Sequence, residues 1–174
     1  MYLLVYRCFH MKIFASVLAL LLVAASPSVA DMKAAVSAPW NGKKVPAGQQ
    51  CTLHGGNGKT PPFQVTGIPA GTVMLVVEYN DKSYSKLSSK GGHGTIGYPV
   101  KGASAKFPAV PGLSAKLPAG IRVIKKARST GDYASAGYLP PCSGGKGNKY
   151  QADVKAINAG GKVLAKTKMD LGRY

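Results

Sequence analysis

Apolar residues along most of this chain recur at every second position, and that period decides the fold class before anything else does. Tyr150, Ala152, Val154 and Ala156 alternate with polar neighbours until the closing pair Ala156-Ile157. Period two sends successive side chains to opposite faces of a strand, whereas an amphipathic helix needs spacings of three and four. Residues 72–79, Thr-Val-Met-Leu-Val-Val-Glu-Tyr, form a continuous apolar, β-branched run bounded by Pro69-Ala70-Gly71 and Asn80-Asp81. They predict a strand buried on both faces. Shorter strands are expected at 94–100, 121–124 and 162–169, and a Ser/Lys/Gly loop at 80–92. Residues 31–50 read as a polar, Lys-bearing arm of extended chain and loop, and 101–120 as a Pro-punctuated surface connection. The class is mainly β, with antiparallel sheets, long loops and little helix.

Composition narrows function more than fold. The 174 residues make one domain's worth of chain, and 45% hydrophobic residues are enough for a core. Six acidic residues leave few carboxylate pairs for glycosidase or aspartic-protease chemistry, and three His with three Cys cannot fill many metal shells. With 23 basic residues the net charge is +17, which bears on partners such as anionic headgroups or polyanions.

Residues 1–30 read as a signal peptide. Lys12 forms a cationic stub, Ile13 to Ala25 is an apolar run of 13 residues broken only by Ser16, and Ser28-Val29-Ala30 is a small-x-small cleavage site. The run is short for a membrane span, which takes about 20 residues. Apolar residues precede the stub, so Met11 is the expected natural start. The mature chain, from Asp31, keeps 21 basic and 6 acidic residues, net +15. Periplasmic or secreted localisation follows, and leaves Cys51 and Cys142 as the two cysteines of an exported chain. An even pair there points to one disulfide, closing a loop of about 90 residues. Two separate buried thiols are the other reading.

Several short motifs fail on context. Gly92-His-Gly-Thr-Ile-Gly97 matches G-x-G-x-x-G by letter, but a Ser/Lys loop precedes it and a proline-containing strand follows, where a dinucleotide site needs strand, turn and helix. Gly144-Gly-Lys-Gly-Asn-Lys149 lacks the spacing of a phosphate-binding P-loop. Cys51-Thr-Leu-His54 is half a zinc site with no second half in the sequence. Ser104–Ala109 and Ser114–Ala119 echo each other, yet two units ten residues apart indicate loop duplication rather than a repeat architecture.

Four segments in order, spanning roughly residues 51–158, resemble the phosphatidylethanolamine-binding protein family, also called Raf kinase inhibitor-like proteins, in its small bacterial branch. Cys51 to Pro61 is similar to that branch's C-x-G-x-N-x-S-P opening. Gly67 to Tyr79 resembles its P-x-G-T and buried strand, which puts Asp81 on the first Asp of D-P-D-x-P. Gly91-Gly92-His93 with the strand ending Tyr98-Pro99 resembles G-x-x-H-W-x-x-x-N-I-P. Arg128, Asp132-Tyr133 and Ala136 to Cys142 resemble the run into G-P-C-P-P, and Gly147 to Tyr150 sits on G-x-H-R-Y. Lys82, Ser83 and Ser85 replace residues of D-P-D-x-P, Gly94 replaces the Trp, and Asn148 or Lys149 stands at the second His.

The resemblance implies a sandwich of antiparallel sheets with a small anion pocket at one end and no shared catalytic reaction. It assigns ligand binding to Asp81, His93, Tyr138, Pro141 and Tyr150, with Asp81 holding a cationic His93. Read from the residues alone, His93 is equally a loop histidine without a ligand, Asp81 a turn residue, and Tyr138 with Pro140 and Pro141 a rigid turn. The resulting expectation is an arm at 31–50 and a single β-rich domain at 51–174, acting as an exported, non-enzymatic protein that binds a phosphate-bearing or other anionic ligand. It needs no cofactor and no metal. An anionic membrane surface or a partner protein is a further expected partner, and specific nucleic-acid binding is not expected. The alternative is a basic interaction protein that binds polyanions or a partner, its pocket vestigial.

Overall fold

The computed structural model describes residues 31–174, so the expected leader lies outside the described residues. Eight strands form two antiparallel sheets: β1 (Lys33–Val36), β2 (Phe63–Thr66), β3 (Met74–Asp81), β4 (Thr95–Pro99), β5 (Ser104–Phe107), β6 (Arg122–Lys125), β7 (Lys149–Ile157) and β8 (Val163–Arg173). The smaller sheet has the order β1-β2-β5 and the larger β6-β4-β3-β7-β8. Three short 3-10 turns at 52–54, 85–87 and 131–133 are the helical content of the described residues.

Alternation does what it predicts in β7, where Tyr150, Ala152, Val154 and Ala156 are buried and their neighbours half-exposed. The central strand β3 departs from its expectation. Its inner residues Leu75, Val77 and Tyr79 are fully buried, but Val76 and Glu78 on the other face are half-covered, with Lys155 paired to Glu78 at 2.6 Å. With no helix over its outer face among the described residues, the sheet leaves that face to long side chains rather than to a second core.

The core lies between the sheets. Phe63 of β2 and Phe107 of β5 stack at 4.8 Å, and both meet the ring of Tyr98 on β4, at 5.1 and 5.2 Å. The Tyr98 and Tyr79 hydroxyls bond to each other at 3.0 Å. Burial, and for Tyr79 the neighbouring phenols, push both pKa values up, so both stay neutral.

The whole smaller sheet escapes sequence reading. Residues 31–50 are packed into the body rather than projecting as an arm: β1 pairs with β2, Met32, Trp40 and Val45 are buried in the core, and Lys44 bridges Arg173. Residues 101–120 contain β5 and bury Phe107 and Val110. Four-residue strands offer at most two inward positions, too few to register as a period. The echoed hexapeptides adopt different structures: Ser104–Phe107 is strand β5, while the segment from Ser114 contributes no strand.

Candidate functional site

The site is built where β3, β4 and β7 end together. Asp81 closes β3 and Tyr150 is the second residue of β7, and the antiparallel register places them opposite one another. His93 precedes β4 and is tied on three sides. Its N–H donates to Tyr79 O at 2.9 Å, its carbonyl accepts from Leu139 N–H at 2.8 Å, and its Nδ1 lies 2.8 Å from Leu139 O. Because a carbonyl only accepts, Nδ1 carries the proton, and in the neutral ring Nε2 is left as an acceptor.

Glycines let this loop close. Gly91 and Gly92 N–H groups donate to Asn80 Oδ1 at 3.0 and 3.1 Å. A Cβ on Gly92 would overlap Leu87 O, and one on Gly94 would lie 2.6 Å from Gly137 O. The G-x-G-x-x-G letters therefore record backbone crowding beside His93.

The cavity here has a volume of about 810 Å³ and is lined by Asp81, His93 and Tyr150, with Lys86, Arg128 and Lys146 among the residues around them. Among the described residues, Asp81 is the single carboxylate in that lining. Its oxygens are both engaged, Oδ1 by Ser83 N–H at 2.9 Å and Oδ2 by Asn148 Nδ2 at 2.7 Å. Asp81 therefore anchors the neighbouring loops, and the Leu139 carbonyl orients His93.

His93 is 3% exposed. Burial lowers its pKa, and the Leu139 hydrogen bond and the Asp81 charge, which act the other way, do not offset this. The expectation of a cationic His93 held by Asp81 gives way to a neutral one in the free protein. Tyr150 packs edge-on to His93 at 5.3 Å, and its hydroxyl accepts from Cys142 N–H at 3.2 Å. Burial first, and the Asp81 charge after it, keep its pKa up at about 12.

The structure thus brings Asp81, His93 and Tyr150 to the cavity and sets Tyr138 and Pro141 behind it. Tyr138 is core, its ring 4.6 Å from that of Tyr79. Pro141 contributes its carbonyl, which accepts from Cys51 N–H at 2.9 Å. Cys51 and Cys142 form a disulfide with Cα atoms 5.2 Å apart. Lys86 and Lys146 are among the lining residues that sequence reasoning did not place. Of the two candidates that the resemblance gave for the second histidine, Asn148 or Lys149, Asn148 is the one that lines the cavity. Arg128 was placed by the same resemblance, and its guanidinium clamps the loop through Lys86 O, Ser89 O and Lys90 O at 2.8, 2.9 and 3.2 Å.

Two antiparallel sheets with motif loops gathered around a histidine at one end define a phosphatidylethanolamine-binding-protein-like fold. A solved structure of a homologue of that protein from Chlamydia trachomatis matches with a TM-score of 0.51 and 20% identity, over 83% of this chain and 97% of the other. The chain thus has this fold in divergent form. No family model matches the chain, and no curated protein does.

Proposed function

We propose that the chain is an exported, non-catalytic binding protein whose cavity takes an anionic ligand of the phosphate-headgroup class. The observation that carries this reading is charge imbalance: Lys86, Arg128 and Lys146 line a cavity whose single described carboxylate, Asp81, is already occupied. Cations gathered around a concave site favour an anion more than the same charges on an open surface would. A volume of about 810 Å³ leaves room for the rest of a headgroup beyond its phosphate.

The hydroxyls support a non-enzymatic role. Ser83 Oγ accepts from Lys149 N–H at 3.0 Å, while Ser129 and Ser143 donate to the carbonyls of Tyr133 and Tyr174 at 2.6 and 2.7 Å. None is paired with a histidine as an activated nucleophile would be. The disulfide favours an oxidising compartment, periplasmic or extracellular.

Calorimetry with glycerophosphoethanolamine, whose diester phosphate keeps a single negative charge beside its ammonium group, tests the reading on wild type and on Lys86→Ala/Lys146→Ala. The expected result is millimolar or tighter 1:1 binding with shallow salt dependence, weakened in the double variant. Equal affinities for both proteins would overturn it. The alternative of a diffuse basic surface draws on a net charge of +15 and on the pairing of only two lysines, Lys149 and Lys155, with carboxylates among the described residues. It forecasts binding of polyanions with steep salt dependence and no effect of the two substitutions.

A further inference from the structure

We infer that reducing the Cys51–Cys142 disulfide creates a site for a thiophilic divalent cation of the zinc kind, made of both cysteines and His54 in the wall of the cavity. The half-site Cys51-Thr-Leu-His54 finds its second half in space. Cys51 precedes the 3-10 turn 52–54 in extended conformation, and its carbonyl accepts from His54 N–H, which keeps the two residues side by side. The disulfide holds Cys142 at the same place. The Sγ atoms of both cysteines and a ring nitrogen of His54 all lie within 4.8 Å of one another.

A tetrahedral zinc ion with bonds of about 2.0 Å to nitrogen and 2.3 Å to sulfur holds such donors about 3.6 to 3.8 Å apart. The His54 nitrogen is therefore within about 1 Å of ligating distance from the sulfurs, and the two sulfurs, bonded to each other in the oxidised form, separate to ligating distance by side-chain rotation once reduced. His54 is available for it. Its hydrogen bonds run through its backbone, from N–H to Cys51 O at 3.1 Å and from Gln50 Nε2 to its carbonyl at 3.2 Å. Gly144 leaves room for the ring, since a Cβ there would come within 3.2 Å of it.

The chemistry selects the ion. Lys86, Arg128 and Lys146 share the cavity, so a hard cation would meet repulsion and find no carboxylate cage. Two thiolates cancel the charge of a divalent ion and prefer a borderline-soft one. The oxidised form offers no thiolate. A dithiol donor attacks the protein disulfide, passes through a mixed disulfide and leaves oxidised, with two protein thiols as the product. The ion then displaces their two protons. His54 and Cys142 both line the cavity while Cys51 is buried, so the fourth position faces the cavity, where water or an anion can occupy it. Disulfide and metal exclude each other, so redox state selects between them.

Cobalt(II) titration of the chain under nitrogen, with a phosphine reductant, tests this. The phosphine gives two electrons to the disulfide and takes oxygen from water, whose protons complete the thiols. Reduced wild type should show a 1:1 thiolate-to-cobalt charge-transfer band that zinc abolishes, and oxidised protein none. Losing even an outer-shell partner costs about 10- to 100-fold in affinity, so His54→Ala should weaken cobalt binding by at least about tenfold. Equal binding before and after reduction, or equal binding by reduced wild type and His54→Ala, overturns the site. If reduction unfolds the chain, zinc should restore the β signal in circular dichroism for wild type and not for His54→Ala, and failure to restore it also overturns the site. The headgroup titration uses oxidised protein, so the two readings fail separately.

Discussion

Opening the Cys51–Cys142 link should remove a large share of the stability of this fold, and the structure supplies the magnitude. The cysteines are 91 residues apart in sequence, and the chain-entropy relation converts that separation into roughly 4.6 kcal/mol at 25 °C. Domains of this size are stable by only about 5–15 kcal/mol in total. Two perturbations separate the cross-link from packing. Reduction of wild type removes the link and keeps both sulfurs, whereas Cys51→Ala/Cys142→Ala also removes sulfurs packed against Ala127, Leu139 and Leu113. The double variant should therefore be the less stable of the two. Urea unfolding by linear extrapolation is the assay, in metal-free buffer, and m should rise because the unfolded chain is freed to expand. A shift in Tm of roughly 10–20 °C accompanies a loss of this size. A loss below about 1.5 kcal/mol with m unchanged would refute the reasoning, because an unconstrained 91-residue loop cannot cost so little on the entropic account.

Phe63→Ala should cost about 3–5 kcal/mol in the same urea assay, because Phe63 is fully buried where the sheets meet through Tyr98 and Phe107. Gly92→Ala should cost about 1–3 kcal/mol and disorder the His93 loop in amide-exchange measurements, because its Cβ meets Leu87 O, whereas Gly102→Ala has open space around it and should lose only what its positive φ of 85° exacts. His93 is held neutral below its ordinary pKa, so the unfolded chain binds the extra proton first as pH falls. Stability should drop from about pH 6.5 downward to the lowered folded pKa, and His93→Gln should flatten that limb of the urea midpoint between pH 7 and 5. A headgroup anion that accepts from Nε2–H should correspondingly drive proton uptake by His93, read as buffer-dependent binding enthalpy at pH values between its lowered pKa in the free protein and its pKa in the complex.

The larger sheet was legible because its strands are long enough to repeat. β7 presents four inward residues in nine positions, and β3 carries an unbroken β-branched run. β1, β2 and β5 are four residues each, and their identity as strands comes from pairing with one another, which no local pattern encodes. Trp40 shows the same limit, because its burial depends on a core assembled from residues as far along the chain as Met169 and Leu171. Within the site, the resemblance located Asp81, His93 and Tyr150, since their positions follow from where strands end. It misplaced their chemistry. Whether a carboxylate faces a histidine or the amide of Asn148 depends on loop geometry, and burial of His93 depends on Leu139 and Tyr150 closing around it.

The departures from the family motif become intelligible once the backbone is separated from the ligand face. The frame around His93 is held by main-chain groups: Asn80 on the Gly91 and Gly92 amides, the reciprocal bonds between His93 and Leu139, and Arg128 on three carbonyls. Such bonds need glycines, one asparagine and one arginine, and apart from Arg128 they place no demand on the side chains of the residues after Asp81. Replacing the residues after Asp81 by Lys82, Ser83 and Ser85 therefore leaves the frame standing while moving Asp81 from a ligand-facing role to an anchor for Ser83 and Asn148. On the proposed reading, with the carboxylate occupied and His93 neutral, discrimination among anions would pass to Lys86 and Lys146. Lysines are flexible point charges without the fixed fork of arginine, so the cavity should select by charge and size and be tolerant of headgroup shape.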